Sequence, residues 1–379
     1  MSNNELVLYI KQLISCKEEK NLTWQDIADI VFKHTGFDRS ETYFRKGSYM
    51  NIPIEEDEQI EFRSDVLDGV YKALEKDTLT ELNACTRVNN RLESLKVIAT
   101  ESAKIIAKGK GELTTPKTNI SINEDREGIL CIGDWHYGID TDTPYNKYNL
   151  EIAKQRVQQL LEEAIKIIKK EKLSKVTLIN LGDMISGRIH LQLRVSTRID
   201  TVTQTQEVAE LIVEFIQNLS KYVYVDYYSV TDNHSRIEPN KKNSLQLETF
   251  SRIIDWHIVT RLENNTNFRY IENTFGDDIA TINVFNHYIV AVHGDLDSQK
   301  SIISNMTLYQ RKPIDLIISA HMHHVSMDED NNTEFICNGS LIGEDDYAHK
   351  LRKACIPSQM LLIATKDNVT EVMYKIKLK

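Results

Sequence analysis

The sequence has few cysteines and no long hydrophobic run. Its five cysteines, Cys16, Cys85, Cys131, Cys337 and Cys355, are scattered along 379 residues, and none forms a CxxC pair. This spacing argues against a disulfide framework and against a cysteine-ligated zinc site. No apolar run approaches the roughly 20 residues of a membrane helix, and the N-terminus lacks the pattern of a signal peptide. We therefore expect a cytoplasmic protein without membrane contact.

Basic residues are outnumbered by acidic residues. The chain has 46 lysines and arginines against 56 acidic residues, which gives a formal net charge of −10. A protein that binds nucleic acid through much of its surface is usually basic. Any contact with a polyanion must therefore be local. Bound divalent cations could reverse the sign of the charge at one site, which is a reason to look for metal ligands.

Composition and periodicity divide the chain into three parts. A length of 379 residues favours one large domain and a smaller one. Residues 1–60 have helical periodicity, and residues 61–120 predict a helical arm (about residues 62–108) with a polar linker. Residues 121–379 alternate apolar strands with amphipathic helices. We expect an α/β domain there, preceded by a small all-helical domain. The helical arm is a candidate contact surface for a homodimer.

The N-terminal part has local signals for helix starts and stops. Thr23 and Asp26 are spaced nearly as a capping box, and Gly36 ends the helix that they begin. A further helix is expected to begin at Asp38 or Ser40. Two helices joined by a short turn that contains glycine are typical of a helix-turn-helix domain. The alternative is a small helical domain that contacts other proteins. The residues that would face DNA are Arg39, Arg45 and Lys46.

Five apolar strands of the third part end in polar residues, as in GILCIGD, TLINLGD and LIISAH. The carboxyl ends of strands in an open α/β sheet meet at one edge, where ligands bind. Carboxylate, amide and imidazole groups suit Mn²⁺, Fe or Zn²⁺, and two ions can share one carboxylate. A binuclear metal site is therefore predicted. Its expected ligands are Asp134, His136, Asp183, Asn233, His293, His321 and His323.

Two pairs of these ligands are separated by a single residue. Side chains alternate along an extended strand, so Asp134 and His136 are expected to share one side, and likewise His321 and His323. The remaining histidine of the AHMHH stretch, His324, must then point elsewhere.

In sequence order, GDWHYG, GDMISG, DNHS, HGD and AHMH resemble the motifs of calcineurin-like metallophosphoesterases, over about residues 127–345. The resemblance implies a four-layer αββα sandwich with two divalent ions, Mn²⁺ by preference and Fe, Zn or Ni as alternatives. It implies that His234 protonates the leaving group while a metal-bound hydroxide attacks phosphorus. It assigns Asp134, His136 and His323 to the first ion, Asn233, His293 and His321 to the second, and Asp183 to both.

Some positions depart from the family pattern. An acidic residue usually follows the catalytic histidine, but Ser235 follows His234, and Asp295 or Asp297 would have to replace the missing carboxylate. GDMISG lacks the Asp-Arg pair of protein phosphatases, which disfavours a phosphoprotein substrate. Ala320 stands where the family has glycine, which requires a negative φ.

The HGD motif at His293 is similar to that of SbcD-type DNA exonucleases and of phage-encoded relatives. We therefore expect hydrolysis of phosphodiester bonds in DNA by a nuclease of phage or mobile-element type. The alternatives are a phosphodiesterase acting on small or cyclic nucleotides, and a non-catalytic DNA-binding or assembly protein with a structural metal site. The residues expected to contact substrate phosphate, if they are not ordinary surface residues, are Arg188, His190 and Arg236.

Overall fold

A computed structural model of the chain describes residues 3–15, 17, 22–51, 113–116, 124–189, 191–350 and 352–379. The chain separates into two compact units, residues 1–91 and 92–379. The predicted arm at residues 62–108 and the side chain of His190 lie outside the described residues. The expected boundaries near residues 60 and 120 stay predictions.

The first unit is helical where it is described, with α1 (Asn3–Ser15), α2 (Trp24–Thr35), α3 (Glu41–Arg45) and a 3₁₀ turn at Ser48–Asn51. Apolar side chains of these elements form one small core, which includes Tyr9, Ile27 and Phe44. The helix order agrees with the sequence prediction, but α3 has only five residues. Recognition of DNA by this unit stays a prediction.

The capping box predicted at the start of α2 is present. The Asp26 N–H donates to Thr23 Oγ1 at 3.1 Å, and the Thr23 N–H donates to Asp26 Oδ2 at 2.7 Å. Gly36 ends the helix with a φ of 72°, a left-handed conformation that glycine adopts without steric cost. Ser40 precedes α3 but makes no side-chain cap.

The second unit alternates strands and helices. Its strands are β1 (Glu127–Ile132), β2 (Thr141–Asp142), β3 (Lys147–Tyr148), β4 (Lys175–Asn180), β5 (Tyr224–Ser229), β6 (Phe268–Tyr270), β7 (Ile279–Val284), β8 (His287–Val292), β9 (Leu316–Ser319), β10 (Ser326–Asp330), β11 (Thr333–Cys337), β12 (Ser358–Ala364) and β13 (Val372–Lys377). Its helices are α4 (Leu150–Glu171), α5 (Leu191–Ser196), α6 (Thr201–Leu219), α7 (Phe250–Arg261), α8 (Ile302–Gln310) and α9 (Asp346–Lys350). Among the described residues, no helix combines the length and apolar character that crossing a membrane requires.

The strands form two main sheets. The larger sheet has the order β13-β12-β1-β4-β5-β6, and the smaller has the order β10-β11-β9-β8-β7. β1, β4 and β5 are parallel neighbours, because the helices α4 and α6 return the chain to the same end of the sheet before each next strand. β8 and β9 are likewise parallel. β12 and β13 form an antiparallel hairpin at the C-terminal end of the described chain.

Side-chain alternation divides the core into layers. On β1, Leu130 and Ile132 pack with α4, α6 and α7, whereas Ile129 and Cys131 pack against the smaller sheet. On the far side of the smaller sheet, Ile317 packs with residues of α8. The order helix, sheet, sheet, helix confirms the predicted αββα sandwich.

Candidate metal centre

The predicted ligands meet where the two sheets share an edge. β1, β4 and β5 of the larger sheet and β8 and β9 of the smaller sheet all end there. Each ligand follows the last residue of one of these strands by a few positions. The site is therefore built by two sheets, where the sequence pattern alone had suggested the edge of one. The side chains brought to this edge are Asp134, His136, Asp183, Asn233, His234, His293, His321 and His323.

Two clusters of ligand atoms share the carboxylate of Asp183. One consists of Asp134, His136, Asp183 and His323, and the other of Asp183, His293 and His321, with the ligand atoms of each cluster within 4.8 Å of one another. Asn233 joins the second cluster, because its Oδ1 lies 2.9 Å from His293 Nε2. We call the positions defined by these two clusters the first and the second metal position.

The buried oxygens of the site fit a pair of cations. Asp134 Oδ1 and Asp183 Oδ2 are buried without a hydrogen-bond partner, and their residues are at most 1% exposed. A buried carboxylate oxygen without a partner is costly unless a cation compensates it. The Nε2 atoms of His293 and His136 lie 3.3 and 3.6 Å from Asp183 Oδ2. Two carboxylates, an amide oxygen and four imidazoles form a suitable donor set for Mn²⁺, Fe or Zn²⁺.

Electrostatics favour the metal-binding form of the first-position histidines. Burial lowers the pKa of His136 well below its usual value, and burial lowers the pKa of His323 to about 3. Both imidazoles are therefore neutral near pH 7, which is the form that binds metal. Burial raises the pKa of Asp134 well above the usual range. Burial acts in the same direction on Asp183, but the charges of His234 and His293 outweigh it and hold its pKa well below normal.

The ligands are presented by left-handed backbone. Positive φ occurs at Asp134 (52°), His136 (46°), Asp183 (53°), His321 (65°) and His323 (59°). Non-glycine residues adopt this region at a cost, and such residues cluster at functional sites. The prediction that alternation along an extended strand orients each pair was wrong. β1 and β9 end before the ligands, and tight turns orient their side chains.

The missing carboxylate beside His234 is replaced by a backbone carbonyl. His234 Nδ1 lies 2.8 Å from the carbonyl oxygen of Ser186, so the expectation that Asp295 or Asp297 takes this role was wrong. A Cβ on Gly187 would lie 2.0 Å from the carbonyl oxygen of His234, at a φ of 66°. Only glycine allows the GDMISG loop to approach His234 this closely.

The two described substrate candidates are turned toward the loop after β5. Arg188 donates from Nε and Nη2 to the carbonyl oxygen of Ile237 at 3.3 and 2.9 Å. Arg236 donates from Nε to the carbonyl oxygen of Asn233 at 3.0 Å. Both side chains are half-buried. Through these hydrogen bonds they hold the loop that carries Asn233 next to the second metal position. Ala320 avoids positive φ, as its place in the motif requires.

Sequence reasoning missed the residues that support the backbone around Asp134, either in the turn after β1 or in the neighbouring loop at Leu341 and Ile342, whose N–H groups donate to the Asp134 carbonyl oxygen. The Tyr148 hydroxyl donates to the carbonyl oxygen of Trp135, between the ligands Asp134 and His136. The buried Arg156 guanidinium donates to the carbonyl oxygens of Leu341 and Ile342. Arg156 lies on a long amphipathic helix, where a basic residue usually indicates a solvated face, so no motif marks it.

The layered sandwich and the position of the site define the class of fold. Two stacked sheets flanked by helices, with aspartate, asparagine and histidine ligands at their common edge, form the calcineurin-like metallophosphoesterase fold. The resemblance seen in the motifs is thereby confirmed at the level of the fold.

Comparison with known proteins gives distant relatives. The chain is 27% identical over 368 residues to the SPbeta prophage-derived uncharacterized protein YonJ of Bacillus subtilis (strain 168), which covers 90% of this chain and 88% of that protein. A scan against models of known protein families gives no match.

Two solved structures illustrate the structural similarity. A novel archaeal phosphodiesterase is 14% identical, with 66% of this chain and 99% of that chain covered and a TM-score of 0.35. Vacuolar protein sorting 29 from Cryptosporidium parvum is 15% identical, with 64% of this chain and 87% of that chain covered and a TM-score of 0.32. The sheet order and the positions of the clustered aspartate and histidine side chains in this chain define its metallophosphoesterase fold.

Proposed function

We propose that this chain is a cytoplasmic two-metal phosphodiesterase of the calcineurin-like type, and that it cleaves DNA. The observation that supports this most strongly is the pair of ligand clusters sharing Asp183, with buried oxygens of Asp134 and Asp183 that lack partners. A structural metal site usually closes around one ion. Two adjacent positions that share a carboxylate are typical of enzymes that displace groups at phosphorus.

The proposed roles follow the two clusters. Bound ions, Mn²⁺ by preference, would neutralise charge on the phosphate and supply a nucleophile near neutral pH. Asp183 would contact both ions. The first-position ligands would be Asp134, His136 and His323, and those of the second would be Asn233, His293 and His321.

His234 is the proposed general acid. A carbonyl oxygen can only accept a hydrogen bond, so the contact with Ser186 requires a proton on Nδ1 of His234. The second nitrogen, Nε2, lies 3.8 Å from Asp183 Oδ2 and faces the metal centre. In the imidazolium form Nε2 carries the second proton and can give it to the leaving oxygen, while the Nδ1–H bond to Ser186 fixes the ring.

Local positive charge supports a nucleic-acid substrate on an otherwise acidic chain. Arg188 and Arg236 lie on the loops that flank His234, where their remaining N–H groups can contact phosphates next to the cleaved bond. In the N-terminal unit the exposed basic residues Arg39, Arg45 and Lys46 would bind the DNA backbone.

A cavity beside the second metal position favours a second candidate, a phosphodiesterase acting on small nucleotides. It measures about 310 Å³ and is lined by Gly294, Lys300, Met322 and Phe335, among others. Gly294 directly follows His293, so the cavity adjoins the site. Its size is at the lower end of small-molecule pockets, which is compatible with a single nucleotide.

Activity assays separate these functions. Purified protein with Mn²⁺ would be tested on labelled single- and double-stranded DNA and on bis-p-nitrophenyl phosphate, with metal-free and His234→Ala samples as controls. Cleavage of DNA and of the small ester is the expected result. Cleavage of the small ester alone would favour the small-nucleotide enzyme. Cleavage of neither would contradict an enzyme and favour an assembly protein with a structural metal site.

A further inference from the structure

The turn between β1 and the Tyr137 bridge combines two strained residues with the first metal position. Asp134 and His136 both have positive φ, at 52° and 46°, and only Trp135 separates them. Strained backbone of this kind persists when the surrounding structure holds it in place. Backbone bonds contribute, since the N–H groups of Asp134 and His136 donate to the carbonyl oxygens of Gly182 and Asp183.

The side chain of Gln359 holds the start of this turn. Its Oε1 accepts the Gly133 N–H at 2.8 Å and the Trp135 indole N–H at 3.4 Å. Its Nε2 donates to the carbonyl oxygen of Gly133 at 3.1 Å and to that of Gly339 at 2.6 Å. Both ends of the amide are thus used, which fixes its orientation. Gln359 is fully buried on β12, so water cannot replace these bonds.

The contact with Gly339 connects Gln359 to the loop that carries His323. Ser340 follows Gly339, and its hydroxyl donates to the carbonyl oxygen of His323 at 3.4 Å. The Gln359 amide and the Ser340 hydroxyl together therefore connect the segment that carries Asp134 and His136 to the segment that carries His323. The second position has support of its own, since His293 Nδ1 lies 2.8 Å from the carbonyl oxygen of Leu181, and it meets the first where the His321 N–H donates to Asp134 Oδ2 at 3.0 Å.

We propose that Gln359 is a positioning residue that acts chiefly on the first metal position. It touches no ligand side chain, and it acts by fixing the backbone on both sides of that position. The inference rests on the metal centre of the proposed function and adds a residue outside all five sequence motifs. Residues that orient metal ligands from behind typically change metal affinity by about 10- to 100-fold when they are replaced.

Calorimetric titration of metal-free protein with Mn²⁺ tests this proposal without using activity. His321→Ala removes a second-position ligand and leaves the first position to be measured. His323→Ala removes a first-position ligand and leaves the second. Gln359→Met, which keeps the length but not the polar groups, would be added to each. We expect it to weaken the remaining site at least about tenfold in the His321→Ala protein and to change the affinity of the His323→Ala protein by a clearly smaller factor.

A matched control separates positioning from general loss of stability. Gln310 is also buried, and its Oε1 accepts the Tyr288 hydroxyl at 2.9 Å. It is the last residue of α8, and its partner Tyr288 belongs to the core between the smaller sheet and that helix. Gln310→Met should lower the melting temperature and leave both Mn²⁺ affinities unchanged. If Gln359→Met does not fold, Ser340→Ala tests the same connection at its His323 end, with a smaller loss expected at the first position only.

The outcomes distinguish this inference from the proposed function. No Mn²⁺ binding by the unsubstituted protein would remove the metal centre, and the inference with it. Binding of two ions with equal weakening of both positions by Gln359→Met, or with no weakening, would overturn the role of Gln359 and leave the metal centre intact.

Discussion

The two metal positions share Asp183 but are built differently. The first has two carboxylates, Asp134 and Asp183, whereas the second has Asp183 and the neutral amide of Asn233. Apart from the shared Asp183, all three ligands of the first position have a positive φ. At the second position His321 has one, whereas Asn233 and His293 do not. The first position therefore has more negative charge and more backbone strain.

This difference suggests which position fills first and which lies nearer to the leaving group. A divalent ion gains more electrostatic energy next to two carboxylates than next to one, so the first position should fill first. The proposed proton donor His234 lies against the first position, since its ring centroid is 4.5 Å from that of His136, so the ion of the first position should also be the closer one to the leaving group. Substitutions can test each half of this comparison.

Loss of the shared ligand should have the largest effect. Asp183→Ala removes the carboxylate between both positions, so we expect Mn²⁺ binding to fall at both and turnover of bis-p-nitrophenyl phosphate to fall at least about a thousandfold. Metal content after dialysis, measured together with turnover, checks this. Full occupancy of either position in this variant would show that the two positions do not depend on a common ligand.

His234→Ala should separate chemistry from metal binding. The imidazole is proposed to donate a proton and to contribute no ligand, so turnover should fall by about a hundredfold or more while two Mn²⁺ ions remain bound. Metal analysis of the same preparation provides the control. Normal turnover would show that another group supplies the proton.

Exchanging the charge of one ligand at each position tests the difference between them. Asp134→Asn should weaken the first position by about tenfold or more, and Asn233→Asp should strengthen the second by a similar factor, because about 1.4 kcal/mol of added charge interaction gives a tenfold change. Mn²⁺ titration checks both. If the two substitutions shift affinity in the same direction, charge does not explain the difference.

A pair of glycine substitutions should give the smallest effects. Gly187→Ala introduces a contact with the His234 carbonyl at a positive φ, and we expect a loss of about 2 kcal/mol in the free energy of unfolding with several-fold lower turnover. Gly36→Ala has a similar φ of 72° but nothing within 4 Å. It should cost about 1 kcal/mol without affecting turnover. Equal turnover of both variants would show that the Gly187 loop does not position His234.

The motifs made most of the centre predictable. Each of the seven residues follows an apolar strand, so residue type and strand pattern together indicated which side chains gather at the site, and the resemblance indicated two sheets. The turns that orient Asp134 and His323 were not predictable, since periodicity describes strands and not the residues beyond their ends. Support from Gln359 and Arg156 was not predictable either, because key partners of each, the backbone of Gly133 and of Leu341, are more than 180 residues away in sequence.

Anomalous diffraction from crystals grown with Mn²⁺ would test the account most directly. We predict two peaks about 3.5–4 Å apart, both in contact with Asp183, with Asp134, His136 and His323 around one and Asn233, His293 and His321 around the other. A single peak, or peaks that do not contact Asp183, would contradict a two-metal centre at this edge of the sandwich.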